Sequence, residues 1–585
     1  MKKLKGAIYG VTGPTVVAKG LDGVAMHTVC LVGKEGLLGE VIRIQGELAT
    51  LQVYEDTGGL SAGEDVVSSG KPLMVVLGPG LLGGTFDGIQ RPLDRMKEAG
   101  TDFIAKGLKI APIDLKRVWS FSPLKRRGDR AEPGMVIGTV AGNGRIVHRV
   151  MMPPDLNGGG GGGVISEIKT GGVTGTEPVC VLEDGRTIGL YEEWPVRRPR
   201  PFKAKLPPVV PFVTGQRVFD TLFPVAEGGT AIVPGGFGTG KTIVEQTIAK
   251  LSKSDIVIYV GCGERGNEMT EILSDFPELK EMDTGLPLSF RTVIVVNTSN
   301  MPVAAREASI FTGITIAEYY RDMGYNVALL ADSISRWAEA LREISSRLEE
   351  MPGEEGFPPY LATHLGGFYE RAGRVQCLGE DGLTGSITVV SAVSPPGGDF
   401  SEPVTQASLS FAGAFWALDP ELAHRRHFPA VNWQSSFSLY YEDLAGWLSR
   451  EVAPDMPRLR ARLLKLLQKD AELKEVVQII GVEALQEKDR LVLEAAFITN
   501  ETFLKQSIFN EADAFNTHEK QYWMMKVIFA FLDSAEAALK KGTYLEKILE
   551  STLRVRVINM KNWPNEVFVK EAGALIDGIK AEFGV

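Results

Sequence analysis

The sequence predicts a multidomain protein with an N-terminal β-barrel, a second β-rich region inserted after it, an α/β core built around a glycine-rich loop, and a C-terminal α-helical bundle. Three observations carry this reading. A chain of 585 residues is too long for one hydrophobic core, and about three or four domains are expected. Hydrophobic residues alternate in the β manner up to about residue 190, strand and helix patterns then alternate over 210–435, and from 436 onward the strand signal is lost. The third is the stretch Ala231-Ile-Val-Pro-Gly-Gly-Phe-Gly-Thr-Gly-Lys-Thr242, an apolar strand running through glycines into a helix.

Hydrophobic content of 44% and charged content of 23% are those of an ordinary globular protein. The net charge of −10 argues against a nucleic-acid partner, which calls for a basic balance. The Met-Lys-Lys start is too polar for a signal peptide, and no run of about 18 apolar residues is present to span a bilayer. Cys30, Cys180, Cys262 and Cys377 are isolated, without CxxC pairs, and are expected to be reduced thiols.

Residues 1–70 contain Lys5-Gly-Ala-Ile-Tyr-Gly, Gly39-Glu-Val-Ile-Arg-Ile and Ala49-Thr-Leu-Gln-Val-Tyr, short alternating strands with frequent turns, as in a small barrel. Residues 71–115 read as a connecting segment, helical near Pro92-Leu-Asp-Arg-Met. Residues 116–190 are again all-β, with Gly134-Met-Val-Ile-Gly-Thr-Val the clearest strand. Six glycines, Gly158 to Gly163, interrupt this region and are expected to form a flexible loop. Residues 191–209 mix proline with arginine and lysine and read as an extended linker.

In the core, 255–260, 291–296, 326–331 and 386–391 look like buried strands. Helices are expected over Pro302–Met323, with proline in the first turn, and Ile334–Glu350. Such alternation predicts a largely parallel sheet. In residues 436–585, Arg458–Lys469 and Tyr522–Lys541 are the clearest helices.

Gly235, Gly240, Lys241 and Thr242 satisfy the phosphate-loop spacing GxxxxGK[ST]. Glycines at 235, 236, 238 and 240 permit positive φ, so that backbone N–H groups can wrap an anion at a helix start. Lys241 would supply charge to the β and γ phosphates and Thr242 a hydroxyl for Mg²⁺. Phe237 and Thr239 complete the loop. A surface glycine turn is the alternative, but the strand before it and the helical spacing of Val244, Ile248 and Leu251 after it favour nucleotide binding.

Ligands of open α/β sheets bind past the carboxyl ends of the strands. The strand ending at Val260 leads into Gly261-Cys-Gly-Glu-Arg-Gly-Asn-Glu268, placing Glu264 and Arg265 there. Glu264 is the candidate to orient the attacking water, with Glu268 a weaker one. Leu329-Leu-Ala-Asp332 is a Walker-B pattern, making Asp332 a magnesium ligand, often through water.

GCGERGNEMT at 261–270, NTSNMPVAAREAS at 297–309, DSISRWAEALREISSRLEEMPGEEG at 332–356, SPPGGDFSEPVTQ at 394–406 and HFPAVNW at 427–433 resemble the catalytic A subunit of rotary A-type/V-type ATPases. EDTGGL at 55–60 and FDGIQRPL at 86–93 do so as well. The resemblance implies a RecA-like P-loop core, a protruding bulge formed by 116–190, and MgATP hydrolysis or synthesis coupled to H⁺ or Na⁺ transport. Implied partners are a non-catalytic B subunit that alternates with this one in a six-membered ring, central-stalk rotor subunits, a peripheral stalk and, indirectly, a membrane sector. The implied location is the cytoplasmic face of that membrane.

By the same resemblance Glu264 is the catalytic glutamate, Arg265 faces phosphate, Phe428 and Phe509 wall the adenine pocket, and 481–490 touches the rotor. Gly236 stands where the family usually has proline, implying a more mobile loop, and Thr239 replaces the regulatory cysteine of eukaryotic relatives. A binding-only structural subunit of such a ring is the alternative; a secretion-type or helicase-type hexameric ATPase is a more distant one.

Overall fold

The computed structural model describes residues 4–98, 106–107, 110–142, 144, 146–155, 161–281 and 284–584. They form two compact units, one from residues 1–207 and 254–411 and the other from 208–253 and 412–585.

In the first unit the N-terminal strands close a barrel in the order Lys5–Thr12, Thr15–Lys19, Leu48–Val53, Leu37–Gln45, Thr28–Val32 and Asp65–Pro72. Alternate side chains point inward, so Val16, Ala18, Val32, Val41, Leu51 and Val53 fill the interior. The insert is two four-stranded sheets packed around Trp119, Phe121, Val140, Ile165, Val179 and Leu182. Of the glycine tract, Gly158–Gly160 lie outside the described residues. Gly163 opens the strand Gly163–Ile168, and Arg186 donates to the carbonyls of Gly161 and Gly162, both at 3.2 Å. The end of the tract is therefore built into the sheet, against the expectation of a loop throughout.

The segment 71–115 contributes Met74–Leu77, paired antiparallel with Glu192–Pro195, and Thr85–Phe86, parallel to Thr292–Asn297. Part of 191–209, read as an extended linker, is tied into the first unit. Arg200, 1% exposed, lies between Glu192 and Asp322, each at 2.7 Å, and Arg197 bridges Glu40 and Glu307. Those acids are remote in sequence, so a basic, proline-rich stretch gave no sign of being pinned.

The first unit's parallel strands run Thr384–Val393, Asn326–Asp332, Ile256–Cys262, Thr292–Asn297 and Thr85–Phe86, side by side. Both faces are covered, which is why these segments are continuous apolar runs. The helix Val303–Asp322 is buried along nearly its whole length. Its Gly313 approaches the sheet so closely that a β-carbon would sit 2.4 Å from Val260 Cγ2. Pro302 is the residue before this helix rather than in its first turn.

In the second unit the strand Thr230–Pro234 runs parallel to Ala414–Phe415 and leads into the helix Lys241–Leu251. The C-terminal region is helical, with Tyr441–Glu451, Met456–Ile480, Glu487–Thr499, His518–Lys540 and Asn565–Phe583 its longest members. Met456–Ile480 runs past the expected Arg458–Lys469 through the buried Leu473 and ends in a turn whose apolar Ile479 and Ile480 are exposed, so their residue types do not mark a buried face. His518–Lys540 starts earlier than expected because the Thr517 side chain accepts from Lys520 N, a cap outside the apolar pattern.

Candidate functional site

The phosphate loop begins where the wholly buried strand Thr230–Pro234 ends. Gly235 is there for space: a β-carbon would meet Thr239 Oγ1 at 2.5 Å and Leu418 Cβ at 2.9 Å. Gly238 and Gly240 are there for conformation, with φ of 78° and 93°. Gly236 needs neither, since nothing lies within 4 Å of its β-carbon position and its φ is outside the left-handed region. Thr239, 1% exposed, donates its hydroxyl to Gly236 O at 2.8 Å. Lys241 Nζ donates to the carbonyls of Gly235 and Gly236 at 2.7 and 2.9 Å. Gly240 is the N-cap of the helix Lys241–Leu251 and supplies no side-chain acceptor. Thr242 is in its first turn, and Phe237 is 83% exposed.

Beside the loop lies a cavity of about 290 Å³ whose wall includes Phe219, Ile243, Val244, Phe428, Pro429 and Phe509 together with Thr239 and Gly240. Both phenylalanines singled out from sequence thus belong to one apolar wall, remote from each other in the chain. Phe428 and Phe509 are 40% and 94% exposed, unlike core aromatics. Phe219 and Ile243 escaped sequence reasoning. Ile243 had a signal, an apolar residue just after the loop.

In the other unit, the strands Ile256–Cys262 and Asn326–Asp332 are parallel neighbours with Gly261 opposite Asp332. Both end at the same edge, and Glu264 follows two residues later, half-buried. Burial first, and the Asp332 charge second, push its carboxyl up to about 7, opposed by a hydrogen bond from Ser333. Asp332 is 2% exposed and accepts from the Tyr259 hydroxyl at 3.4 Å. Arg336, held by Glu339 at 2.8 Å, also lowers the Glu264 value. Arg265 is exposed, and Glu268 is half-buried in the first turn of the helix Gly266–Glu278.

Two acids, Glu264 and Asp332, close enough to raise the Glu264 carboxyl after burial has done so, make a place where a cation is welcome, so the Asp332 environment fits a divalent metal. Among the described residues no group of three or more His, Cys, Asp or Glu side chains is arranged to hold one.

Residues 215–438 match the sequence model described as ATP synthase alpha/beta family, nucleotide-binding domain. The beta-barrel domain of that family matches 8–70, its barrel-sandwich domain 110–197, and the C-terminal domain of V and A type ATP synthase 445–549. The chain is 52% identical to an A-type ATP synthase A subunit of Methanospirillum hungatei, over 95% of its own length and 94% of that protein. The chain belongs to the A-subunit family of A-type and V-type ATP synthases. Other members of this family include the A-type ATP synthase A subunit of Methanopyrus kandleri, 53% identical over 96% and 95% of the two chains. The V-type ATP synthase alpha chain of Thermoanaerobacter pseudethanolicus is 52% identical over 95% and 94%. In fold, this A-subunit family member is also similar to the assembled ATPase EscN of the enteropathogenic E. coli type III secretion system. The TM-score is 0.62 at 22% identity, over 89% of this chain and 99% of that one. Among its described residues no helix is long and apolar enough to cross a membrane.

Proposed function

We propose that the chain binds MgATP and cleaves or forms its terminal phosphoanhydride bond as the catalytic subunit of a rotary A-type/V-type ATPase. The loop Gly235–Thr242 holds the triphosphate through backbone N–H groups, the helix start and the Lys241 ammonium. Lys241 exchanges its bonds to the Gly235 and Gly236 carbonyls for phosphate oxygens. Phe428 and Phe509 take the adenine between apolar faces. Thr242 and, through water, Asp332 would hold Mg²⁺, which would supply positive charge to offset that of the phosphates.

Glu264 orients the water that attacks the γ phosphorus, and Arg265 meets charge on the transferring group. ADP leaves with the bridging oxygen, and phosphate carries the attacking one. The observation that carries this reading is the raised carboxyl of Glu264 at a strand end beside Asp332. A binding-only subunit has no use for such a group, whereas a general base works best with a pKa near the working pH.

Members of this family are named as parts of ATP synthases, and assembly with the other parts of such an enzyme follows. The finer arrangement belongs to the proposal: alternation with a B subunit that lends an arginine finger, a central rotor touching 481–490, a peripheral stalk, and a place on the cytoplasmic face of the membrane whose sector moves H⁺ or Na⁺.

The test uses the reconstituted complex. Glu264→Gln is expected to keep nucleotide binding and lower turnover by about 10²–10⁴. Near-normal hydrolysis by that variant would overturn the assignment.

A further inference from the structure

Phe509 is 94% exposed, so no packing of its own ring fixes it on the cavity wall. What lies behind its segment is unusually well tied. Arg217 and Asp513 are both fully buried, and neither lines the cavity. The Arg217 guanidinium is ion-paired with Asp513 Oδ1. It also donates through Nε to Phe503 O and through Nη2 to Lys505 O, each at 2.8 Å. Its backbone N–H donates to Gln506 Oε1 at 2.8 Å. The second Asp513 oxygen, Oδ2, accepts from Ser507 N at 2.8 Å. Gln506 Nε2 in turn donates to Gly215 O at 2.9 Å and Asp513 O at 2.8 Å.

We infer that Arg217 and Asp513 are positioning residues for the base of the nucleotide: they hold 503–507 so that the Phe509 wall exists before the nucleotide arrives. This rests on the proposed nucleotide site and extends it to two residues that touch no ligand. A buried ion pair is a poor way to gain stability, because desolvation offsets most of the attraction, but it fixes geometry through directional bonds. Here those bonds end on the backbone that leads into Phe509, and a wall ordered in advance spares the ligand the entropy of ordering it.

The experiment compares binding of MgATP with binding of magnesium tripolyphosphate, which has the phosphates but no base, to the full-length chain by calorimetry. Asp513→Asn is expected to weaken MgATP about tenfold and to leave tripolyphosphate unchanged. In a Phe509→Ala background the same change is expected to have no further effect on MgATP, because both act through one wall. In the assembled enzyme KM for ATP rises while kcat is kept.

If Asp513→Asn does not fold, Asp513→Glu carries the test, since it keeps the buried charge pair and only lengthens the arm. Equal loss of both ligands, no loss of either, or additivity with Phe509→Ala would overturn the inference. A wild-type chain that retains neither ligand would instead remove the nucleotide reading beneath it, and the inference with it.

Discussion

Gly235 and Thr239 face each other so closely across the phosphate loop that a β-carbon on Gly235 would lie 2.5 Å from the Thr239 hydroxyl oxygen. One residue away, Gly236 has open space around the same position. Two adjacent glycines therefore do different work. Gly235→Ala is expected to displace the loop, with a stability loss of about 1–3 kcal/mol and weaker nucleotide binding. Gly236→Ala is expected to gain about 0.4–1 kcal/mol by restricting the unfolded chain. Urea unfolding and nucleotide titration of the two variants measure the contrast.

Lys241 already donates to the two carbonyls at the mouth of the loop. Its position is therefore set before any phosphate arrives. Lys241→Met is expected to lose a charge-assisted contact worth about 1.5–3 kcal/mol, or about 10–100-fold in MgATP affinity. Unchanged affinity in a direct titration would contradict the role given to this side chain.

Glu40 and Glu307 share Arg197 inside the first unit. Burial pushes the Glu40 carboxyl up, yet Arg197, His27 and Tyr54 together outweigh it and hold the group at about 2. Removing Arg197 takes the shared counter-charge from two buried carboxylates, so Arg197→Met is expected to destabilise by about 3–5 kcal/mol. Glu40→Gln leaves Arg197 bonded to Glu307 and is expected to fall well short of that. The depressed value also fixes a sign. The Glu40 contribution is complete above about pH 4.5 and is lost as pH falls towards 2. Chemical denaturation of both variants at neutral and acid pH checks the ranking and the window.

His148 is buried with Nε2 3.1 Å from the Tyr319 hydroxyl, and burial pushes it down to about 3 from 6.5. Below pH 6.5 the unfolded chain binds a proton that the folded chain refuses. Stability is therefore complete above that pH and declines towards pH 3, by about 1.4 kcal/mol per pH unit from this group. His148→Gln is expected to have a shallower decline over the same interval. Denaturation midpoints followed between pH 4 and 7 give the comparison.

Much of the site was legible because its chemistry is local. The phosphate loop needs specific residues at fixed spacing, so Gly235, Gly240, Lys241 and Thr242 announce themselves. The ends of continuous apolar runs locate Glu264 and Asp332, since strands buried on both faces have a composition no surface strand shares. The extension of the helix past Lys469 to Ile480 and the tie of Gly161 and Gly162 to Arg186 were not legible. The extension ends in apolar residues that stay exposed, and the other contact spans residues whose types say nothing about each other.

The sequence by itself determined the class of each region, the position of the loop and the identity of the two strand-end acids, because periodicity and motif spacing are properties of neighbouring residues. Only the tertiary structure decided that Phe428 and Phe509 share a wall, that Arg217 and Asp513 stand behind it, and that burial and the Asp332 charge raise the Glu264 carboxyl. Each of these depends on which distant groups meet, and on how much water is left between them when they do.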